Sequence, residues 1–225
     1  MDFLVSGAQR RIEIARLVIA GWTGRDKAEV ERHIAELGAI GVRRPRTVPT
    51  FYRLGADLAT TAREIEVVGE DSSGEAEFVL VSAPDALYVG VGSDHTDRKV
   101  EAYAVTVSKQ MCPKPLGAEL WPLAELEQHW DRLVLRSWVT RKRKRRLYQE
   151  GEVSHMLAPR ELLARFSGAR GGLDPGTVMF SGTIPVNGKI AGGERFEVEL
   201  HDPVRKRSLK HEYAIRALEI ADGGP

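Results

Sequence analysis

The chain has 225 residues and a formal net charge of +1, from 33 lysines and arginines against 32 acids. That balance excludes the global charge excess of a general nucleic-acid or membrane binder. At 42% hydrophobic residues the chain can bury a sizeable core, in one large domain or two small ones. The single cysteine, Cys112, excludes an intrachain disulfide and fits a reducing cytoplasm, with the thiol as a small packing residue. The opening Met1-Asp2-Phe3-Leu4 lacks the basic and apolar stretches of a secretory leader, and nothing approaches the length of a membrane span.

In chain order, residues 10 to 20 alternate in part, end in an apolar run and predict a strand closing at Gly21. Thr23-Gly24-Arg25-Asp26 offers helix-start chemistry. Val30, Ile34 and Leu37 fall on one helical stripe, with Gly38 as a stop. Residues 42–54 carry Pro45 and Pro49, which disfavour helix and predict an ordered loop or edge segment. A strand follows at Ile65 to Val68. Residues 1–70 read as a small N-terminal α/β region beside a β-rich domain over 71–225.

The stretch from Ser73 to Lys109 organises the rest. Glu75 and Glu77 are two apart at the start of an apolar run, so in a strand they share a face. Asp94 lies just past the next apolar run, Ala86 to Val91. Neighbouring strands would bring the three carboxylates to one point, where they repel unless a cation neutralises them. An all-oxygen ligand set suits magnesium, manganese or calcium.

Downstream, Leu120 to Trp130 reads as a short helix and Leu133 to Val139 as a strand. Arg141 to Arg146 is a run of six cations that fits an exposed hairpin tip, with anion or nucleic-acid binding as the other reading. Pro159 to Phe166 has a helical pattern, and Thr177 to Ser181 reads as a strand. Ser181-Gly182-Thr183 sets two hydroxyls beside a glycine at a strand end, suited to gripping a carboxylate or carbonyl oxygen. Phe196 to Leu200 and Lys210 to Leu218 predict an antiparallel pair around His201-Asp202-Pro203, ahead of a frayed tail from Asp222. The sequence has no Walker loop, dinucleotide fingerprint, Cys/His zinc cluster or Ser-His-Asp arrangement.

Three segments in order resemble the fumarylacetoacetate hydrolase family. They are Glu75-Ala76-Glu77, Ser93-Asp94-His95-Thr96-Asp97-Arg98, and Gly176 to Pro185 followed by Gly193 to Leu200. The resemblance covers roughly residues 73 to 216 and implies a β-rich α+β fold with mixed sheets. It implies Glu75, Glu77 and Asp94 as metal ligands, a homodimer, and a small anionic substrate. Arg98, Tyr103, Ser181, Gly182 and Thr183 fall at substrate-binding places, and Ser108-Lys109 resembles a lysine motif of the pocket. Glu101 stands where the family has a glutamine, and an ionised carboxylate only accepts hydrogen bonds. The family's Asn-Tyr-x-x-His stretch is replaced by Thr50-Phe51-Tyr52-Arg53-Leu54, without a histidine. Arg53 is then a candidate for holding a substrate carboxylate.

These readings predict a cytoplasmic, metal-dependent hydrolase cleaving a carbon–carbon bond in a β-dicarbonyl or keto acid through a stabilised enolate. Decarboxylation, enol–keto isomerisation and sugar-acid dehydration share that enolate. Lys109 would stabilise it. His95, beside Asp94, is the first candidate for general base, provided the chain bends there. Glu101 is the second, and His155 is held in reserve.

Overall fold

The computed structural model describes residues 1–39, 44–168 and 171–221. The first strands are β1 (Asp2–Val5), β2 (Ala8–Arg11) and β3 (Arg16–Gly21), followed by helix α1 (Lys27–Ala39). Asp26 caps α1, accepting from the amides of Ala28 and Glu29. The helix runs through Gly38 rather than stopping there. Next come β4 (Thr50–Leu54), β5 (Ala59–Thr60), β6 (Glu64–Val68) and β7 (Ser72–Ser73). The central hairpin is β8 (Ala76–Ser82) and β9 (Leu87–Ser93), followed by β10 (Thr96–Asp97), α2 (Arg98–Glu101) and α3 (Val105–Gln110). Then follow β11 (Lys114–Pro115), β12 (Glu119–Pro122), β13 (Val134–Arg141) and β14 (Lys144–Glu152). The chain closes with α4 (Pro159–Ser167), β15 (Thr177–Phe180), β16 (Arg195–Asp202) and β17 (Arg207–Leu218).

Two sheets hold most of this α+β fold. The larger has eight strands in the order β2-β1-β12-β9-β8-β15-β3-β4, and the smaller has five, β14-β13-β16-β17-β6. β4 is an edge strand, as its two upstream prolines suggest. The strands of residues 1–70 do not make a sheet of their own. β1 pairs parallel with β12, β3 parallel with β15, and β6 parallel with β17.

β8 is buried along its whole length, and its residues alternate between two clusters. Ala76, Phe78 and Leu80 face the smaller sheet and pack with Val139, Tyr148, Phe196 and Tyr213. Val79 and Val81 face the opposite way, into a cluster with Phe3, Leu17, Leu120 and Phe180. Each fully buried Phe or Leu contributes about 1.5–3 kcal/mol.

Leu120 to Trp130 is not an α-helix. Leu120 lies in β12, and 3-10 turns follow over Leu123–Glu125 and Glu127–Arg132. The apolar spacing Leu120, Leu123, Leu126 is three, which is the 3-10 repeat. The basic run forms the tip of the β13–β14 hairpin. Lys142 and Arg143 both have positive φ, and their amides donate to the Glu194 carboxylate. Arg145 is held by both oxygens of Glu197 and lies 4.4 Å over the Trp138 ring. The 222–225 tail lies outside the described residues. No helix among them is long and apolar enough to cross a membrane.

Candidate metal centre

Parity along the central hairpin assembles the site. Glu75 immediately precedes β8, and Glu77 is its second residue, on the face of Val79 and Val81. Ala76 pairs with Ser93 in register, and the Asp94 amide donates to the Glu75 carbonyl at 3.0 Å. Asp94 therefore leaves the end of β9 beside Glu75. One ligand oxygen from each of Glu75, Glu77 and Asp94 lies within 4.8 Å of the others.

Cations and amides surround the three acids. The Gly182 amide, at φ +95°, donates to Glu77 Oε2 at 2.8 Å. Lys109 Nζ donates to Asp94 Oδ2, and Lys114 Nζ lies 3.1 Å from Asp94 Oδ1. Arg98 bonds Glu101 Oε2 at 2.7 Å and Ser73 Oγ at 2.6 Å. Its Nη2 is buried 3.3 Å from Glu75 Oε1, without a hydrogen-bond partner among the described residues. Tyr52 of β4 brings its ring within 6.0 Å of Lys109 Nζ.

Burial and the neighbouring Asp94 push Glu77 well above the usual carboxylate range, with Lys109 working the other way. Burial also opposes the charge of Asp94, but Lys109 and Lys114 overcome it and hold that carboxyl well below its ordinary value. Burial lowers Lys114, and Asp94 works against that. For Lys109, Asp94 outweighs burial and the ammonium is held above its usual value. The donor set is three carboxylates, all hard oxygens at one point, with Glu77 raised by burial and then by its acidic neighbours. That chemistry fits a magnesium, manganese or calcium ion.

His95 is placed differently from its expected role as base. Consecutive residues of the extended chain face opposite ways, and His95 turns from the carboxylates into the core between the sheets. It is fully buried. Its Nδ1 is 2.9 Å from Tyr213 Oη and its Nε2 is 2.9 Å from Ser72 Oγ. Tyr213 donates its hydroxyl to Ser93 Oγ at 2.8 Å, so it accepts from His95 Nδ1–H. With Nδ1–H committed to Tyr213, the neutral ring accepts from Ser72 at Nε2. Burial pushes its pKa down to about 3, helped by Lys114 and Arg98. Ser93 Oγ in turn accepts from the Glu75 amide at 3.2 Å, so this chain of hydroxyls braces a candidate ligand from behind.

The other expected substrate contacts divide. Arg98 and Glu101 join the site. Gly182 does so through its amide. Thr183 gives its hydroxyl to the Ala76 carbonyl and accepts from Gln149, so it fastens the start of β8. Ser181 is fully buried, its hydroxyl 3.3 Å from the Met179 carbonyl. Arg53 is exposed and alternates with Tyr52, whose ring lies 6.0 Å from Lys109 Nζ. Tyr103 is 76% exposed between α2 and α3. His155 is exposed, and its carbonyl accepts from the Arg25 amide. Sequence reasoning missed Lys114 and Tyr52. The one available signal for Lys114 was a charged residue bracketed by prolines in Cys112-Pro113-Lys114-Pro115.

A model of the family described as a protein of unknown function (DUF2848) matches residues 20–213. The chain belongs to the DUF2848 family. No curated protein sequence matches this DUF2848 chain. Its fold is that of the fumarylacetoacetate hydrolase family, as solved structures show. A yeast protein of that family is 17% identical, with a TM-score of 0.63, covering 91% of this chain and 94% of its own. A Burkholderia cenocepacia protein provisionally described as a fumarylpyruvate hydrolase is 19% identical, with a TM-score of 0.62 and coverage of 96% and 95%. A 2-hydroxyhepta-2,4-diene-1,7-dioate isomerase from Mycobacterium marinum is 13% identical, with a TM-score of 0.64 and coverage of 94% and 82%.

Proposed function

We propose that this DUF2848 protein is a divalent-metal-dependent enzyme that hydrolyses a carbon–carbon bond in a small β-dicarbonyl or keto acid. The observation that carries the reading is the convergence of Glu75, Glu77 and Asp94 within 4.8 Å, beside the buried ammonium of Lys109. These three carboxylates would hold magnesium, with manganese or calcium as alternatives. A bound cation supplies Lewis acidity toward the neighbouring carboxylate and carbonyl oxygens of a substrate.

The chain's own groups supply the rest. Lys109 and Arg98 offer fixed positive charge to a substrate carboxylate and to an oxygen that gains charge during reaction. Hydrolysis delivers the hydroxyl of water to the carbonyl carbon and a proton to the departing carbon. Glu101, half-buried beside Arg98, is the acceptor for the proton of water, since His95 is engaged on both nitrogens. Decarboxylation, isomerisation and dehydration remain alternative outcomes, because each also begins by drawing electrons toward the same oxygens. In the basic hairpin Arg145 is paired with Glu197 and stacked over Trp138, so it serves the hairpin itself.

Calorimetry with magnesium and manganese on chelator-stripped protein tests the site. Saturable binding is expected in the wild type, with loss in the double variant Glu75→Ala, Glu77→Ala. A screen of β-dicarbonyl and keto acids, followed by product analysis, then separates the reaction classes. Wild-type protein that binds neither ion, with or without a chelating acid, would sink the proposal.

A further inference from the structure

The cations from Arg141 to Arg146 take no part in the metal centre, and the hairpin sorts them by face. In register, Arg141 lies opposite Lys144, Thr140 opposite Arg145, and Val139 opposite Arg146. Strand parity puts Arg145 and Leu147 on the outer face with Trp138, where Glu197 holds Arg145. Arg141, Lys144 and Arg146 share the other face. All three are exposed, and none has a carboxylate partner among the described residues. Glu194, at the hairpin tip, gives its oxygens to the Lys142 and Arg143 amides instead. Like charges directly opposite each other destabilise a strand pair, so an anion on this face relieves a repulsion built into the hairpin.

The hairpin also has an open edge. β14 is the outermost strand of the five-stranded sheet. At Tyr148 and Gln149 the chain after β15 covers it: the Asn187 amide donates to the Tyr148 carbonyl at 2.7 Å, and Val186 bridges Gln149. From Lys144 to Leu147 no described segment pairs with its outer side. Alternate residues of an antiparallel edge turn amide and carbonyl outward, so this stretch can accept one more strand. Charge selects which strand. A second β14 would set cation against cation, whereas carboxylates at alternate positions would lie opposite Lys144 and Arg146. A nucleic acid matches the charge too, but its bases stack on exposed aromatic faces. The two rings here are covered, Trp138 by Arg145 at 4.4 Å and the buried Tyr148 by Arg146 at 5.4 Å.

We propose that the β14 edge from Lys144 to Leu147 is a docking site for an extended acidic segment of a partner protein, which adds as one further strand to the smaller sheet. Main-chain hydrogen bonds along the edge supply affinity, and carboxylates two residues apart, facing Lys144 and Arg146, supply selection. Arg141, across from Lys144, strengthens the same field. The site uses none of the residues of the metal centre and does not depend on the metal reading.

The probes are two fluorescent peptides of alternating glutamate and threonine, one unbroken and one with proline in place of two central threonines. Their charge is equal, and only the unbroken one can pair along its length. Binding to the full-length protein at low salt is followed by fluorescence anisotropy. The wild type is expected to bind the unbroken peptide about tenfold more tightly than the proline peptide, and to lose affinity as salt rises. Lys144→Glu with Arg146→Glu should weaken that binding by about tenfold or more. The same charge change on α1, Lys27→Glu with Arg32→Glu, should leave it unchanged. Absence of saturable binding to the wild type overturns the proposal. Equal affinity for the two peptides overturns it as well, because attraction then acts without strand pairing. So does undiminished binding in the hairpin variant. Tighter binding of an oligothymidylate than of the unbroken peptide assigns the edge to nucleic acid and overturns it. Sedimentation showing self-association of the wild type that the hairpin variant loses assigns the edge to a second copy, which also overturns it. Should that variant not fold by circular dichroism, amide exchange on the wild type decides. The unbroken peptide should slow exchange along Lys144 to Leu147, and unchanged exchange there overturns the proposal.

Discussion

A methyl group at position 182 has no room. Gly182 holds φ at +95°, a left-handed value that side chains disfavour, and a Cβ there would lie 1.8 Å from Thr23 Oγ1. The same residue presents its amide to Glu77. Gly182→Ala is expected to lower stability by more than about 2 kcal/mol in urea denaturation, and an unchanged midpoint would refute this. Single positions also mark how far the sequence was legible. Glu75 and Glu77 were readable because strand parity is a local rule, and Asp94 followed from the length of one hairpin. His95 suggested a base because it is next to Asp94 in sequence, yet that adjacency is what turns it the other way. Lys114 and Tyr52 reach the site across the chain, and no spacing rule reports such approaches.

Among the elements, β9 and the proline-bracketed β11 segment decide how tightly the site is built. At Gly92 a Cβ would meet the Pro115 carbonyl at 2.7 Å and Phe180 at 2.8 Å. The absent side chain lets this segment lie against β9 and brings Lys114 under Asp94. Gly92→Ala should push the two apart, with an overpacking cost of about 1–3 kcal/mol. Thermal denaturation measures that cost, and amide exchange should quicken at Leu116 and Gly117. Wild-type exchange at those amides would count against the account. The same scale explains the segment from Leu120 to Trp130. The sequence reads as a helix there, but Leu120 to Pro122 lie in strand β12, where Trp121 and Pro122 pair with β9, and the three-residue spacing of Leu123 and Leu126 fits the short 3-10 turns that follow.

At the scale of the molecule, the chain threads its first seventy residues through both sheets. Without them β15 loses β3, β12 loses β1, and β17 loses β6. A fragment of residues 71–225 is therefore expected to lack the cooperative unfolding transition and dispersed amide spectrum of the full chain. A fragment that folds by both criteria would show two independent units. The predicted fold class came from motif order. The interleaving did not, because parallel pairings join residues far apart in sequence and leave no local pattern. Last, the acids of the centre carry most of their counter-charge in the same polypeptide, in Arg98, Lys109 and Lys114. On the reading proposed above, biogenesis then runs in a set order. The newly made chain would reach its native form before taking up the ion, and cellular supply would then choose which ion it carries.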